Sequence, residues 1–381
     1  MAKKRRKVRA EFRKNHESAA RQKRFTEAYH QQGAEADDTE QRQRVSGKGR
    51  LTRKRTVAGA ELVDDDAGGM VLPEIDREAC VEGRVLRVQG LVSTVLGDDG
   101  KPYACATRQL LKQLATDLRH VVCAGDRVWV RPEGEANSEG VTEGIIERVE
   151  PRFGVLSRTS RARQQLIATN VDQIVVVASA AEPRLKPNLI DRFLVTAEKT
   201  GLRPILVINK VDLIERADLV PLVGLYSQLG YDVAPVSAET GFGVDALRDL
   251  LRGKETAFTG QSGVGKSSLL NAIEPGLALR VQTVSSESQK GRHTTTTAEL
   301  FPLENGGFLV DTPGIRSFEL WDVIPEEVAG YFRDIRPYVS HCRFPDCTHT
   351  HEDFCAVKDA VADGWIDARR YESYAKIRSG E

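Results

Sequence analysis

Residues 256–273 read TAFTGQSGVGKSSLLNAI. A short apolar lead runs into Gly260-x-x-x-x-Gly265-Lys266-Ser267, and a helix-like stretch follows. No other feature constrains the fold as strongly, because this spacing works only as a strand–loop–helix unit. Gly260, Gly263 and Gly265 let the backbone aim its N–H groups at phosphate oxygens, and the positive end of the next helix adds to them. The expected phosphate contacts are Gly260, Gln261, Ser262, Gly263, Val264, Gly265, Lys266, Ser267 and Ser268. Lys266 is expected to reach the β- and γ-phosphates, and the Ser267 hydroxyl to hold Mg²⁺.

Four further stretches belong with this loop. NKVD (209–212) closes the apolar run PILVI. An aspartate there accepts two hydrogen bonds from the N1–H and N2–H₂ edge of guanine, a pair that adenine lacks, so Asp212 argues for GTP over ATP. Asn209 is expected to orient the loop and Lys210 to lie over the base. SAETG (237–241) ends the next strand, where Ser237 and the Ala238 amide fall beside the guanine oxygen. In GRHTTTTAEL (291–300), Thr295 or Thr296 is the expected switch residue on Mg²⁺. DTPG (311–314) offers Asp311 for a water-mediated Mg²⁺ contact and the Gly314 amide for the γ-phosphate.

These are the five elements of a GTP-binding domain in the order fourth, fifth, first, second, third. Each lies at the carboxyl end of a strand or the start of its loop, where open α/β sheets bind nucleotides. A circular permutation explains the order, since domain termini often lie close together. It also ties the segment beyond Gly314 to whatever follows, which couples γ-phosphate sensing to the C-terminal part. Where Ras-like enzymes carry a water-orienting Gln, this chain has Ile315 and then Arg316. His293, in the first switch, is the candidate for that catalytic role.

The 381 residues suffice for two or three domains. Lys+Arg and Asp+Glu both total 55, but the charge is uneven. Residues 1–60 hold 18 basic against 7 acidic side chains, a net of +11, and the remainder holds 37 against 48, a net of −11. Residues 1–77 read as a basic, disordered extension that contacts RNA phosphates or is simply solvated. Its KKRRKV also matches a nuclear import pattern, as short basic runs easily do. Residues 78–155 hold five short β-rich runs, CVEGRVLRVQ, LVSTVLG, PYACATR, GDRVWVRP and VTEGIIERVEPR, which suggest an oligonucleotide-binding barrel. Residues 156–322 alternate continuous apolar strands with helices, as a mainly parallel α/β sheet does. The fold class is therefore multidomain α/β, with a helical metal-binding module at 323–381. No apolar run reaches the ~18 residues of a membrane span, so no membrane partner is expected. Six sparse cysteines fit a reducing, cytoplasmic setting.

Cys342, Cys347, His349 and Cys355 follow a C-x₄-C-x-H-x₅-C spacing, suited to one structural Zn²⁺, with His341 and His351 as alternative ligands. Arg343, Phe344, Lys358, Arg369 and Arg370 lie nearby and are candidates to face RNA or solvent.

Together, the permuted order, GQSGVGKSSL, GRHTTT, DTPG and the Cys/His spacing make residues 78–375 resemble the small-subunit-dependent ribosome biogenesis GTPases, the RsgA family. The resemblance implies an oligonucleotide-binding barrel, a permuted GTPase domain and a zinc module held by Cys342, Cys347, His349 and Cys355. It implies hydrolysis of GTP to GDP (EC class 3.6) with Mg²⁺ on Ser267, Thr296 and Asp311, and a part for His293. It further implies a cytoplasmic, monomeric partner of the 30S subunit and 16S rRNA that helps release other assembly factors. A competing class is an RNA-binding module for which GTP is a conformational ligand. A small-molecule kinase conflicts with Asn209–Asp212.

Overall fold

The computed structural model describes residues 7–11, 54–58, 60–65, 68–114, 121–160, 163–277, 298–304, 306–311 and 323–380. Five strands come first in its folded body: β1 (Val81–Gln89), β2 (Val92–Gly97), β3 (Pro102–Thr107), β4 (Arg127–Glu133) and β5 (Thr142–Val149). They pair in the order β1-β2-β3-β5-β4, and β4 returns to β1. Only β3 and β5 run parallel. This is a closed barrel with the topology of an oligonucleotide-binding fold. Alternation along each strand sends Val85, Val95, Tyr103, Cys105, Val128, Val130 and Ile146 inward. Leu111 of α1 (Gln109–Leu114) packs into the same core.

A hairpin, β6 (Leu156–Ser160) and β7 (Arg163–Ala168), leads from the barrel to the second half of the sheet. There β8 (Gln173–Ser179), β9 (Arg203–Asn209), β10 (Asp232–Pro235), β11 (Glu255–Gly260), β12 (Glu299–Pro302) and β13 (Phe308–Asp311) are ordered β10-β9-β8-β11-β13-β12. All run parallel except β12, antiparallel to β13. A single pairing, Glu299 with Arg87, continues the sheet onto the barrel.

The continuous apolar strands exist because both faces are covered. Ile174, Val176, Leu206 and Ile208 point to one face, under α2 (Pro187–Thr200) and α3 (Val220–Gln228). Val175, Val177, Ile205 and Val207 point to the other, under α4 (Val244–Leu251) and α5 (Lys266–Ile273). The link Arg252-Gly253-Lys254 carries α4 directly into β11. The first strand of this unit in the chain, β8, thus lies inside the sheet beside the phosphate-loop strand, as a permuted order requires.

The C-terminal module contains α6 (Arg336–Val339), α7 (Ala356–Ala362) and α8 (Ala368–Ser379). Phe332, Ile335, Val357, Ile366, Tyr374 and Ile377 form its core, and Val195 of α2 belongs to the same cluster. Arg370 of α8 is 1% exposed. It pairs with Asp334 at 2.9 Å and with Asp191 of α2, which also accepts from Tyr226 at 2.7 Å. Arg333 pairs with Glu198 of α2 at 2.6 Å. On the opposite side, Arg84 of β1 pairs with Glu255, the first residue of β11.

The N-terminal extension contains paired strands among its described residues. Lys7–Glu11 lies antiparallel to Lys54–Ala58, and Ala60–Asp65 to Gly68–Pro73. The last of these packs against β5, burying Leu72. Val and Thr in short runs favour pairing where a neighbouring sheet supplies an apolar surface. Among the described residues no helix is long and apolar enough to cross a membrane.

Candidate functional site

The phosphate loop runs from the end of β11 to the start of α5, under the carboxyl edge of the sheet. Its backbone leaves no space for side chains at two positions. Gly260 has φ +144°, and a Cβ there would lie 2.2 Å from the Val177 carbonyl oxygen. Gly265 has φ +88°, and its Cβ would lie 2.5 Å from Asn209 Nδ2. Lys266 Nζ donates to the carbonyls of Gly260 (2.7 Å) and Gln261 (2.8 Å), so its ammonium lies within the loop's own ring. Val264 is buried, Gln261, Gly263, Ser267 and Ser268 are half-buried, and Ser262 is exposed. Arg248 of α4 donates to the Ile273 carbonyl at 2.9 Å, setting a cation at the negative end of α5. That brace was not read from the sequence, because 25 positions separate its partners.

Asn209, 1% exposed at the end of β9, ties two loops together. Its Nδ2 donates to the Val264 carbonyl at 2.9 Å, and its Oδ1 accepts from the Ala238 amide at 3.1 Å. The loop-orienting task expected of this residue thus has a definite geometry, linking β9, the phosphate loop and the loop after β10. Ser237 is buried, and its Oγ accepts from Thr240 N at 3.1 Å, which shapes the SAETG turn. Asp212 stands exposed on the single turn Val211–Leu213, whose Val211 amide donates to Val236 O at 3.2 Å. Lys210 takes a left-handed φ of 63°, and its Nζ donates to the Glu182 carbonyl. That contact with the loop after β8 was also missed, since a backbone carbonyl leaves no mark in a sequence.

The backbone of Asp311 ends β13, next to β11. The Asp311 side chain, and His293, Thr295, Thr296 and Gly314 altogether, lie outside the described residues. The described part of the Mg²⁺ set is Ser267, in the first turn of α5, a position that fits a hydroxyl ligand beside bound phosphate.

Cys342, Cys347, His349 and Cys355 come together, with all four ligand atoms within 4.8 Å of one another. A tetrahedral Zn²⁺ with bonds of about 2.3 Å to sulfur and about 2.0 Å to nitrogen sets edges of about 3.8 Å (S–S) and about 3.5 Å (S–N). The Cys342–Cys355 Sγ separation is 3.8 Å. His349 Nδ1 lies 3.3 Å from Cys342 Sγ and 3.5 Å from Cys355 Sγ. These three edges fit a tetrahedral metal with Nδ1 as the imidazole ligand, and Cys347 completes the set within 4.8 Å. His341 and His351, the alternatives, are exposed and outside the cluster. Burial lowers the His349 pKa, against the pull of Glu352, and so favours the neutral ring that a metal needs. Tyr371 donates to the His349 carbonyl and Tyr374 to the Thr348 carbonyl, each at 2.7 Å. Glu352 accepts from the Thr348 amide and hydroxyl, both at 2.6 Å. Burial opposes its ionisation, but the Thr348 and Thr350 hydrogen bonds prevail and hold the carboxyl well below its usual range.

The five side chains expected to face RNA or solvent divide here. Arg370 is buried in the module junction, a correction that follows from the α8 register placing it against α2. Arg369 is paired with Asp367 at 2.8 Å, and Lys358 donates to the Glu352 carbonyl at 3.0 Å. Arg343 and Phe344 are exposed.

Comparison with known proteins agrees with this geometry. The RsgA GTPase family matches residues 149–321. A Yersinia pseudotuberculosis protein named small ribosomal subunit biogenesis GTPase RsgA is 40% identical over 314 residues, covering 80% of this chain and 87% of its own length. The crystal structure of YjeQ from Thermotoga maritima superposes with a TM-score of 0.65 at 37% identity, covering 79% of this chain and 98% of that one. That of YloQ, described as a circularly permuted GTPase, gives 0.63 at 32% identity, covering 81% and 96%. At 40% identity over 80% of the chain, the protein belongs to the RsgA family and is a GTPase.

Proposed function

We propose that this GTPase acts in late assembly of the small ribosomal subunit. It binds the 30S particle through 16S rRNA, hydrolyses GTP to GDP and phosphate there, and helps other assembly factors leave. The name of the Yersinia relative supports the partner. The observation that carries the nucleotide is the Asn209 brace between the phosphate loop and the Ala238 loop. It supports a site in which Asp212 reads the guanine edge, Lys210 lies over the base and the Ser237–Ala238 turn meets the guanine oxygen.

In the same reading the Gly260–Ser268 loop wraps the phosphates and Lys266 turns from its loop carbonyls to the β- and γ-phosphates. Ser267, Thr296 and Asp311 would hold Mg²⁺, which would supply charge neutralisation for phosphoryl transfer. The Gly314 amide meets the γ-phosphate, with Thr295 the other candidate switch residue. His293 orients the attacking water. Cys342, Cys347, His349 and Cys355 would hold Zn²⁺ as a structural ion. The parts are the extension 1–77, the barrel 78–155, the GTPase domain 156–322 and the zinc module 323–381, in a cytoplasmic monomer.

The test is co-sedimentation of the zinc-loaded chain with purified 30S subunits. Binding with a non-hydrolysable GTP analogue should be at least tenfold tighter than with GDP. Equal binding in both states would reduce the nucleotide to a bystander.

A further inference from the structure

Phe354 is 68% exposed and Phe344 43% exposed, on the loop that carries the Cys/His cluster. Between them stands Arg343, its guanidinium carbon 4.9 Å from the Phe354 ring centroid and 5.8 Å from that of Phe344. The Arg343 amide donates to the Phe354 carbonyl at 3.3 Å, pinning the two sides of the loop together. Phe354 has a φ of +57°, a left-handed conformation that a bulky L-residue adopts only under constraint. Its neighbour Cys355 belongs to the Cys/His cluster, and the Phe354 carbonyl itself accepts from the Arg343 amide. The ring is thus held outward in a strained backbone rather than folded against the module core, and such strain clusters at binding sites.

Charge identifies what this surface takes. Asp346, Glu352 and Asp353 share the loop with Arg343, and Lys358 stands in the first turn of α7 just beyond it. Glu352 is engaged with Thr348 and Thr350, and Lys358 with a carbonyl. Among the described residues Arg343 has no ion pair, while Arg369 nearby is paired with Asp367. A loop with more carboxylates than cations is a poor phosphate clamp. Two outward rings with an unpaired guanidinium between them instead match the flat face of an unstacked nucleobase.

We propose that Phe354, Arg343 and Phe344 form a stacking platform for an unpaired base of RNA, held in shape by the metal loop. This rests on the rRNA partner proposed above and adds the chemistry of one contact.

The test uses the full zinc-loaded chain, purified 30S subunits and a GTP analogue, over a salt series. Phe354→Ala should weaken binding about tenfold, and Phe354→Trp should restore it. The slope of log affinity against log salt should stay unchanged, whereas loss of a phosphate contact would lower it by about 1. A photo-crosslinking residue at 354 should yield an RNA adduct. Unchanged affinity in Phe354→Ala, or an adduct with a ribosomal protein, overturns the platform while leaving the 30S partner intact. Failure of the native chain to bind 30S overturns the partner itself. Zinc content and melting temperature of Phe354→Ala should match the native chain, and a loss of either would mark the residue as structural instead.

Discussion

At the scale of residues, the site depends on a few side chains that act between strands. Asn209 serves two loops with one buried amide. Asn209→Ala leaves the Val264 carbonyl and the Ala238 amide without that partner, at a cost on the order of 1–3 kcal/mol for each group that stays dry. GTP affinity should fall at least tenfold, as read by titration with a fluorescent analogue, and the unfolding midpoint should drop with it. Asp212→Asn tests base recognition separately. An amide can no longer accept both guanine protons but can donate to the 2-oxo group of xanthine. Affinity should therefore shift from GTP toward XTP, by about a hundredfold in ratio. Retained GTP preference would show that another group reads the base. The NKVD motif was legible in the sequence, because it is local and follows an apolar strand. The Lys210–Glu182 contact was not legible, since it joins a side chain to a distant carbonyl.

At the scale of elements, local signals again separated what could be read from what could not. The runs DQIVVVAS and RPILVINK read correctly as buried parallel strands, since no other element of that length is apolar on every side. Strand β12 was hidden: four residues, Glu299 to Pro302, with a charge at one end and a proline at the other. The hairpin of β6 and β7 escaped because its polar residues show no alternation. The spacing offered Cys342, Cys347, His349 and Cys355 with His341 and His351 as alternatives, and the fold brings the first four together; the support of that loop was not legible. Glu352 holds the loop through Thr348 and Thr350, so Glu352→Ala should speed zinc loss to a chelator severalfold while one ion per chain still binds. Removing the metal altogether should unfold the loop and lower the melting temperature, because the thiolates and imidazole are then held together without a bond. Circular dichroism and a zinc indicator dye measure both.

At the scale of the whole molecule, α2 is the shared wall between the GTPase sheet and the Cys/His module. Its Ile190 and Leu194 belong to the sheet core, its Val195 to the module core, and its Asp191 to the buried Arg370 cluster. The sequence offered Arg370 as one more surface cation, because only tertiary packing reveals which face of α8 is buried. Arg370→Ala strands the carboxylates of Asp191 and Asp334 away from their cation and should cost about 3–5 kcal/mol in denaturant unfolding. Arg370→Met should cost less only if Asp191 is also made neutral. The Cys/His module follows the strand that ends at Asp311 directly in the chain, so a permuted order sets this junction next to the DTPG segment.

The most direct measurement is GTP turnover with and without purified 30S subunits, for the native chain and for His293→Ala. A small-subunit GTPase should turn over slowly alone, since Ile315 cannot orient water, and should accelerate by orders of magnitude on the particle. His293→Ala should still bind GTP and lose that acceleration. Equal stimulation of both chains would move the water-positioning task to another group. No stimulation of the native chain would contradict the ribosomal function itself.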